Sequence, residues 1–224
     1  MAAQRRLNRD ELIATALAVS DAEGLDAVTI RRVAQQHDVT PMALYRHFED
    51  KDGLLAALAE KLVADAMVPE PDDRPWHAQT HDVLAGILTA LRPHPNATVL
   101  LLTRMLDSEA GLALTERVLA LLADAGMSVE EGADTACQVL NSLVTLVVSE
   151  PGRSDGADSE AHDAEVRATR ARLLSLSPRR YPHVVAAADA FADCASAEMY
   201  YRRGVDLIVA GLRGVGSAAQ PVAG

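Results

Sequence analysis

The stretch TIRRVAQQHDVTPMALYRHF, residues Thr29–Phe48, determines the predicted fold of the N-terminal part of the chain. Thr29 can cap a first short helix, which should end where the sequence becomes polar at position 37. Thr40 and Pro41 form an N-cap and first-turn pair, because the missing N–H of proline is no loss in the first turn of a helix. The stretch therefore predicts two short helices across a tight turn, the second running through Phe48.

Such a pair can be a helix-turn-helix, whose second helix enters the major groove of DNA. Leu44 and Phe48 would then face the core. The outward side chains would bond phosphates or touch base edges, and Arg31 would reach a guanine. The predicted DNA-contacting residues are Thr29, Arg31, Thr40, Pro41, Met42, Ala43, Tyr45, Arg46, His47 and Lys51. On spacing alone, an ordinary helical hairpin with a solvated polar face fits equally well.

Helices are also predicted on both sides of this pair. Asn8 and Glu11 form a capping-box pattern for a first helix that ends at Gly24. After Asp50, leucines and valine recur at helical spacing as far as Val63. Three prolines at positions 69, 71 and 75 cannot continue that helix. We therefore predict a helix-turn-helix domain with its connecting helix over 1–66, a hinge over 67–75, and a second domain over 76–224.

The second domain is also predicted to be helical. Aromatic residues make up only 3% of the chain, whereas the hydrophobic fraction of 49% is rich in Ala, Leu and Val. The predicted fold class is all-α, with a three-helix N-terminal domain and a C-terminal helical bundle. Helices are predicted at 76–92, 96–106, 110–125, 129–149, 182–193 and 196–214, with a further short helix possible at 164–176. Six acidic residues between 150 and 165 predict a solvated, mobile loop.

Charge and cysteine content limit the protein's partners and location. The net charge is −11, but residues 1–48 contain six Arg and six acidic residues, so the acidity lies downstream. A neutral module can bind DNA if its cations converge on one face. Cys137 and Cys194 lie in apolar or Ala-rich sequence and predict buried, reduced thiols. No apolar run is long enough to cross a bilayer, so we expect a cytoplasmic protein without a membrane partner.

Residues Leu7–Val63, and most strongly Leu25–Leu58, resemble the DNA-binding domain of TetR-family repressors. Asp38 departs from the pattern, because the family usually has glycine in that turn. Aspartate tolerates the left-handed conformation better than most residues, so the turn should survive. The resemblance favours DNA binding over the hairpin alternative. It rests, in order and spacing, on Gly24 with the apolar residue after it, Thr29, Val33-Ala34, Leu44-Tyr45, His47-Phe48, Lys51 and Leu54-Leu55.

A weaker similarity extends through the second domain to the tetracycline-repressor-like subgroup of the family. It rests on Trp76, Thr103-Arg104, Met127-Ser128 with Gly132, and the stretch Gly204–Ile208. The resemblance implies dimerisation through the segments 129–149 and 196–214. The subgroup's drug-coordinating histidines and asparagine have no counterpart here, where the corresponding stretches are Ala66-Met67, Asp82-Val83 and Leu101-Leu102. The resemblance therefore argues against tetracycline and for a more lipophilic inducer.

Polar residues within apolar helices are the candidates for ligand contact, because a ligand site is mostly apolar with a few placed polar groups. Gln138, Asn141 and Thr145 share one face of the predicted helix at 129–149. They contact either a ligand or the dimer seam, and the sequence does not decide between these roles. The complete set of predicted ligand-binding residues is Trp76, His81, Thr103, Arg104, Met105, Gln138, Asn141 and Thr145.

The competing class is an enzyme or a metal protein. His77 and His81 have the spacing of two zinc ligands on one helix face, but Ala78 replaces the glutamate of an HExxH motif and no third ligand is convincingly placed. We therefore predict no catalytic residues, no metal and no cofactor. A helical interaction or small-molecule-binding protein without a DNA-binding role is the second alternative.

The predicted function is transcription regulation by a homodimeric repressor that binds double-stranded DNA. Its two recognition helices would enter successive major grooves about 34 to 36 Å apart, so the operator should be nearly palindromic. A small-molecule inducer would favour a state with another spacing and release the DNA, with the helix at 50–66 transmitting the change.

Overall fold

The computed structural model describes residues 8–151, 159–193 and 196–218, and these residues contain helices and no strand. By its internal contacts the chain divides into two compact units, residues 1–148 with 205–224, and residues 149–204. The boundary predicted at 67–75 lies inside the first unit. Separate DNA-binding and ligand-binding domains stay a prediction.

The first unit begins with four helices: α1 Arg9–Glu23, α2 Ile30–Gln36, α3 Pro41–Leu44 and α4 Lys51–Ala64. Side chains just before α1 and α4 explain where these helices begin. The Asn8 side chain accepts a hydrogen bond from the Asp10 N–H, and Asp50 caps α4 by accepting from the Gly53 N–H. Gly24 ends α1 with φ 87°, a conformation that favours glycine. Helix α1 packs against both α2 and α4, and its contacting side chains form an apolar core.

The unit continues with α5 Trp76–Leu91, α6 Pro95–Thr98, α7 Leu101–Arg104, α8 Glu109–Asp124 and α9 Val129–Val148. The capping box predicted before α9 is confirmed. Ser128 N–H donates to Oε2 of Glu131 at 2.9 Å, and Glu131 N–H donates to Oγ of Ser128 at 3.3 Å. Helix α4 packs against α5 and α8, which joins the first four helices to the rest of the unit.

The second unit contains α10 Ser159–Leu174, α11 Pro182–Ala186 and α12 Ala188–Ala192, with α10 packed against α12. Helix α13, Ala197–Ala218, begins in this unit and ends in the first. The loop predicted at 150–165 is wrong at its end, because α10 already begins at Ser159. An acidic residue such as Glu160 stabilises a first helical turn. Residues 152–158 of the predicted loop lie outside the described residues.

Two predicted helices are broken. The segment predicted as one helix at 96–106 contains α6, α7 and a 3₁₀ turn, Met105–Asp107. Its backbone N–H groups bond three residues back, Leu100 to Ala97 and Leu102 to Val99, which tightens the turns. The segment predicted at 182–193 is interrupted at Ala187, where φ is −96° and ψ 8°. The predicted α3 is also shorter, because His47 N–H bonds Leu44 three residues back and the chain continues to Phe48 as turns.

The connector between α4 and α5 is not helical, as its prolines predict, but it is fixed to α5. The buried Gln79 amide donates from Nε2 to the carbonyls of Asp72 at 2.9 Å and Arg74 at 2.6 Å. A Cβ atom on Gly86 of α5 would overlap the backbone carbonyl of Met67. These contacts hold the connector along α5. Its predicted role as a hinge between two domains stays a prediction.

Candidate nucleic-acid interface and ligand cavity

The turn between α2 and α3 has the geometry that a helix-turn-helix needs. Asp38 adopts a left-handed backbone conformation with φ 53°, which confirms that the turn survives an aspartate. The turn is held from α1, because the Thr15 hydroxyl oxygen lies 2.8 Å from Nε2 of His37. Leu44 and Phe48 are buried, as predicted. The left-handed turn, the Thr15–His37 contact and the two buried side chains together fix the position of α3 against the core.

The residues that follow the turn present an exposed surface. The side chains of Met42 and Tyr45 are 74% and 51% exposed. Thr40 occupies the N-cap of α3, but its side chain makes no cap hydrogen bond. Pro41 and Arg46 are also exposed, whereas Ala43 and His47 are half-buried. An apolar and hydroxyl-bearing surface of this kind can meet base edges and phosphates, and each residue's contact with DNA stays a prediction.

The basic side chains near this surface differ in whether they form an ion pair with a carboxylate. Arg31 of α2 is exposed. Its neighbour Arg32 forms an ion pair with Glu23 of α1, with Nη2 2.6 Å from Oε1. The hydrogen bonds from Arg32 lower the pKa of the Glu23 carboxyl. The Thr29 hydroxyl accepts from the Arg32 N–H at 3.0 Å, which confirms its capping role. Lys51 is exposed, with Nζ 3.4 Å from the backbone oxygen of Asp26.

A largely apolar cavity of about 520 Å³ lies in the first unit, between α5, α7, α8 and α9. Its few polar groups are the hydroxyls of Thr103 and Thr115, the Asp107 carboxylate and the Cys137 thiol. Its size and lining suit a small, mostly apolar ligand. The lining residues are Leu84, Ile87, Leu101, Leu102, Thr103, Met105, Leu106, Asp107, Leu114, Thr115, Val118, Leu119, Ala133, Ala136, Cys137, Val139, Leu140 and Leu143.

Two of the predicted ligand-binding residues, Thr103 and Met105, line this cavity. The other six do not. Gln138, Asn141 and Thr145 lie on the exposed face of α9, where the Asn141 amide donates to the carbonyl of Cys137 at 2.9 Å. The sequence left open whether these polar groups contact a ligand or the dimer seam. They do not line this cavity, to which α9 contributes small and apolar residues, and their roles stay predictions.

The remaining three candidates have other partners. The half-buried Trp76 meets the neighbouring His77 ring edge to face, with ring centroids 5.7 Å apart. The His81 ring lies 3.5 Å from a carboxylate oxygen of Asp82 and 3.4 Å from one of Asp206. Arg104 forms an ion pair with Asp52 of α4. The described residues contain no group of three His, Cys, Asp or Glu side chains that could hold a metal ion.

The sequence reasoning missed the cavity wall formed by α8 and the thiol of Cys137. Leu114 and Val118 are four residues apart, a helical spacing that could have identified the wall. The prediction of a buried thiol is wrong for Cys137, which is exposed and lines the cavity. Cys194 lies outside the described residues. Within the described part of the chain, no helix is both long and apolar enough to cross a membrane.

Two family models match the chain. The model of bacterial regulatory proteins of the TetR family matches residues 12–58, and the tetracyclin repressor-like C-terminal domain matches residues 68–215. The tetracycline repressor protein class A of Escherichia coli is 29% identical over 211 residues, which cover 92% of this chain and 91% of that protein. An HTH-type transcriptional regulator of Saccharopolyspora erythraea is 25% identical over 206 residues, which cover 92% of this chain and 84% of that protein.

The fold agrees with solved structures as well. The Streptomyces coelicolor TetR family protein ActR, solved in complex with actinorhodin, superposes with a TM-score of 0.76 at 25% identity. The superposition covers 96% of this chain and 99% of ActR. The first family model covers the helix-turn-helix, and the second covers the helices that line the cavity. The chain therefore belongs to the TetR family of DNA-binding transcriptional regulators.

Proposed function

We propose that this regulator is a homodimeric repressor that binds a nearly palindromic operator and is released from it by a small lipophilic molecule. The observation that carries the DNA-binding role is the exposed surface of residues 40–46, which follows a turn fixed by the left-handed Asp38. Met42 and Tyr45 gain little from exposure to water and contact DNA instead. Arg31 and Arg46 supply the charge that attracts phosphate or guanine.

The cavity supports release by a lipophilic ligand. Most of its lining is aliphatic, and its one carboxylate, Asp107, disfavours small anions. Residues 103 and 105–107 of its wall belong to the segment next to α4, the helix that follows the helix-turn-helix. A relative, ActR, has been solved in complex with actinorhodin. A typical coupling of about 1–3 kcal/mol between ligand and operator is enough for release.

The dimer is proposed to form through α9 and α13. Leu207 of α13 is 74% exposed, and Val148 of α9 and Val215 of α13 are also exposed. Apolar side chains on two long helices favour burial against a second copy. Two copies related by a twofold axis would place their recognition helices about 34 to 36 Å apart, which requires a palindromic operator. Such a regulator acts on chromosomal DNA and therefore in the cytoplasm.

Footprinting of the purified protein on DNA upstream of its own gene, at a stated salt concentration, tests the DNA-binding role. We expect one protected, nearly palindromic stretch. Arg46→Ala should remove the protection while the protein remains a dimer in size-exclusion chromatography. Arg172→Ala, which replaces an exposed arginine of α10, is the matched control and should protect the operator normally.

Two outcomes would contradict the proposal. Absence of protection on every genomic fragment would favour the alternative of a helical interaction protein. Protection at wild-type affinity by Arg46→Ala would remove Arg46 from the interface. The ligand class is tested on the footprinted fragment by a compound screen, and release by small charged compounds alone would contradict the lipophilic inducer.

A further inference from the structure

Arg104 lies between two cavity-lining residues, Thr103 and Met105, but its own side chain binds α4. Its Nη2 lies 2.5 Å from Oδ1 of Asp52, and its Nη1 lies 3.3 Å from Oδ2. This two-point geometry fixes the orientation of both groups more tightly than a single contact. The cavity wall is therefore bonded directly to the first turn of α4.

The first turn of α4 is a sensitive position for DNA binding. It follows the helix-turn-helix after Phe48, and its Lys51 is a predicted phosphate contact. Asp50 caps the helix through the Gly53 N–H at 2.8 Å, so the turn is rigid. A shift of Asp52 therefore moves the start of the whole helix rather than one side chain.

A second attachment joins the same segment to α1. Nδ1 of His94 lies 2.8 Å from Oδ2 of Asp21, and the Asn96 amide donates to the carbonyl of Ser20 at 2.8 Å. None of the described residues 94–98 lines the cavity, and Thr98 in this stretch is fully buried. This contact with α1 can persist whether the cavity is empty or filled.

Arg104 also has a second carboxylate nearby. The hydrogen bonds that Arg104 donates to Asp52 raise the pKa of the Arg104 guanidinium, and the charge of Asp107 adds to this effect. Asp107 itself lines the cavity. Release of Asp52 therefore leaves the guanidinium with a counter-charge, which lowers the cost of breaking the first pair.

We propose that the Arg104–Asp52 ion pair is the latch through which a filled cavity changes the position of α4 and so the affinity for DNA. The His94 and Asn96 contacts act as the pivot that stays in place. A molecule that displaces Thr103 or Met105 carries Arg104 with it, because Arg104 lies between them on the same short segment. This inference rests on the proposed function. It assigns the transmission of the ligand's effect from the cavity to α4 to one pair of residues.

A covalently attached occupant tests the latch without knowledge of the ligand. Cys137 lines the cavity and is exposed, so N-phenylmaleimide can be attached there in a Cys194→Ala background, with mass spectrometry confirming one adduct. The measured quantity is the ratio of operator dissociation constants of labelled and unlabelled dimer. It is compared in the background protein, in Asp52→Asn and in Glu49→Gln, which removes an exposed carboxylate three residues away. Each ratio compares labelled and unlabelled protein of the same variant. The direct effect of the lost carboxylate charge on DNA affinity therefore cancels from the ratio.

We expect the label to weaken operator binding by the same factor in the background and in Glu49→Gln. In Asp52→Asn this factor should fall by about two- to fivefold, the range of an exposed ion pair. Asp52→Glu, which keeps a carboxylate, should retain most of the label's effect. An equal effect of the label in all variants would overturn the latch and leave the proposed function intact. A fully labelled background protein with unchanged operator affinity would overturn both the latch and ligand release through this cavity.

Discussion

A Cβ atom placed on Gly111 would overlap the backbone carbonyl oxygen of Met105. Gly111 lies in the first turn of α8, where its N–H donates to the Ser108 hydroxyl at 3.1 Å. Met105 lies at the start of the 3₁₀ turn and lines the cavity. The close approach of these two backbones fixes the cavity wall to α8, and only a residue without a side chain fits there.

Gly111→Ala should therefore destabilise the fold by about 1–3 kcal/mol, because the added methyl group forces the Met105 backbone to move. Urea unfolding followed by circular dichroism measures the change. Gly132→Ala is the matched control, since Gly132 lies in the first turn of α9 and its Cβ would meet only side chains at 3.8 and 3.9 Å. That control should be neutral or more stable by up to about 1 kcal/mol. Equal stability of the two variants would contradict the prediction.

Arg31 and Arg32 are neighbours on α2 with different expected roles. Arg31→Ala should weaken operator binding by about 1–3 kcal/mol, because its exposed guanidinium is available to a guanine. Arg32→Ala should bind the operator nearly normally, because Arg32 is already bonded to Glu23. Fluorescence anisotropy with an operator fragment measures both affinities at one salt concentration. A larger loss for Arg32→Ala than for Arg31→Ala would mean that Arg32 leaves Glu23 to bind DNA.

Gln79 holds the connector to α5 and also accepts a hydrogen bond from Nη2 of Arg117 at 2.6 Å. Gln79→Leu should destabilise the protein by about 1–3 kcal/mol, because it leaves buried polar groups without their partner. Thermal unfolding measures this change. Gln35→Leu replaces an exposed glutamine of α2 and should unfold at nearly the wild-type temperature. If both variants unfold at the same temperature, the amide does not hold the connector.

Stability should depend on pH through Asp82. A hydrogen bond from Arg74 lowers the pKa of the Asp82 carboxyl from 3.8. A carboxylate with a lowered pKa in the folded state stabilises the protein above its unfolded pKa, and this stability is lost as pH falls through the folded pKa. Asp82→Asn should therefore lose less stability than wild type between about pH 5 and about pH 2. Asp73→Asn, a nearby exposed carboxylate not bonded to Arg74, should follow the wild-type curve in urea unfolding at each pH.

Local sequence patterns predicted the helical class, several helix starts and the turn of the helix-turn-helix. Thr29 caps α2, Ser128 and Glu131 form a capping box, and Asp38 adopts the left-handed conformation, all as predicted. These features depend on residues within about four positions of one another, so a local pattern contains the information. The resemblance to the TetR family then indicated that this predicted fold binds DNA.

Only the tertiary structure decided where the cavity lies and what Arg104 does. Arg104 looked like a ligand contact beside Thr103, but its partner is Asp52, which is 52 residues away in the chain. Cys137 is exposed rather than buried and lines the cavity that α9 shares with helices distant in sequence. Such contacts depend on how helices distant in sequence pack together, and the periodicity of one helix does not specify which neighbour covers each face.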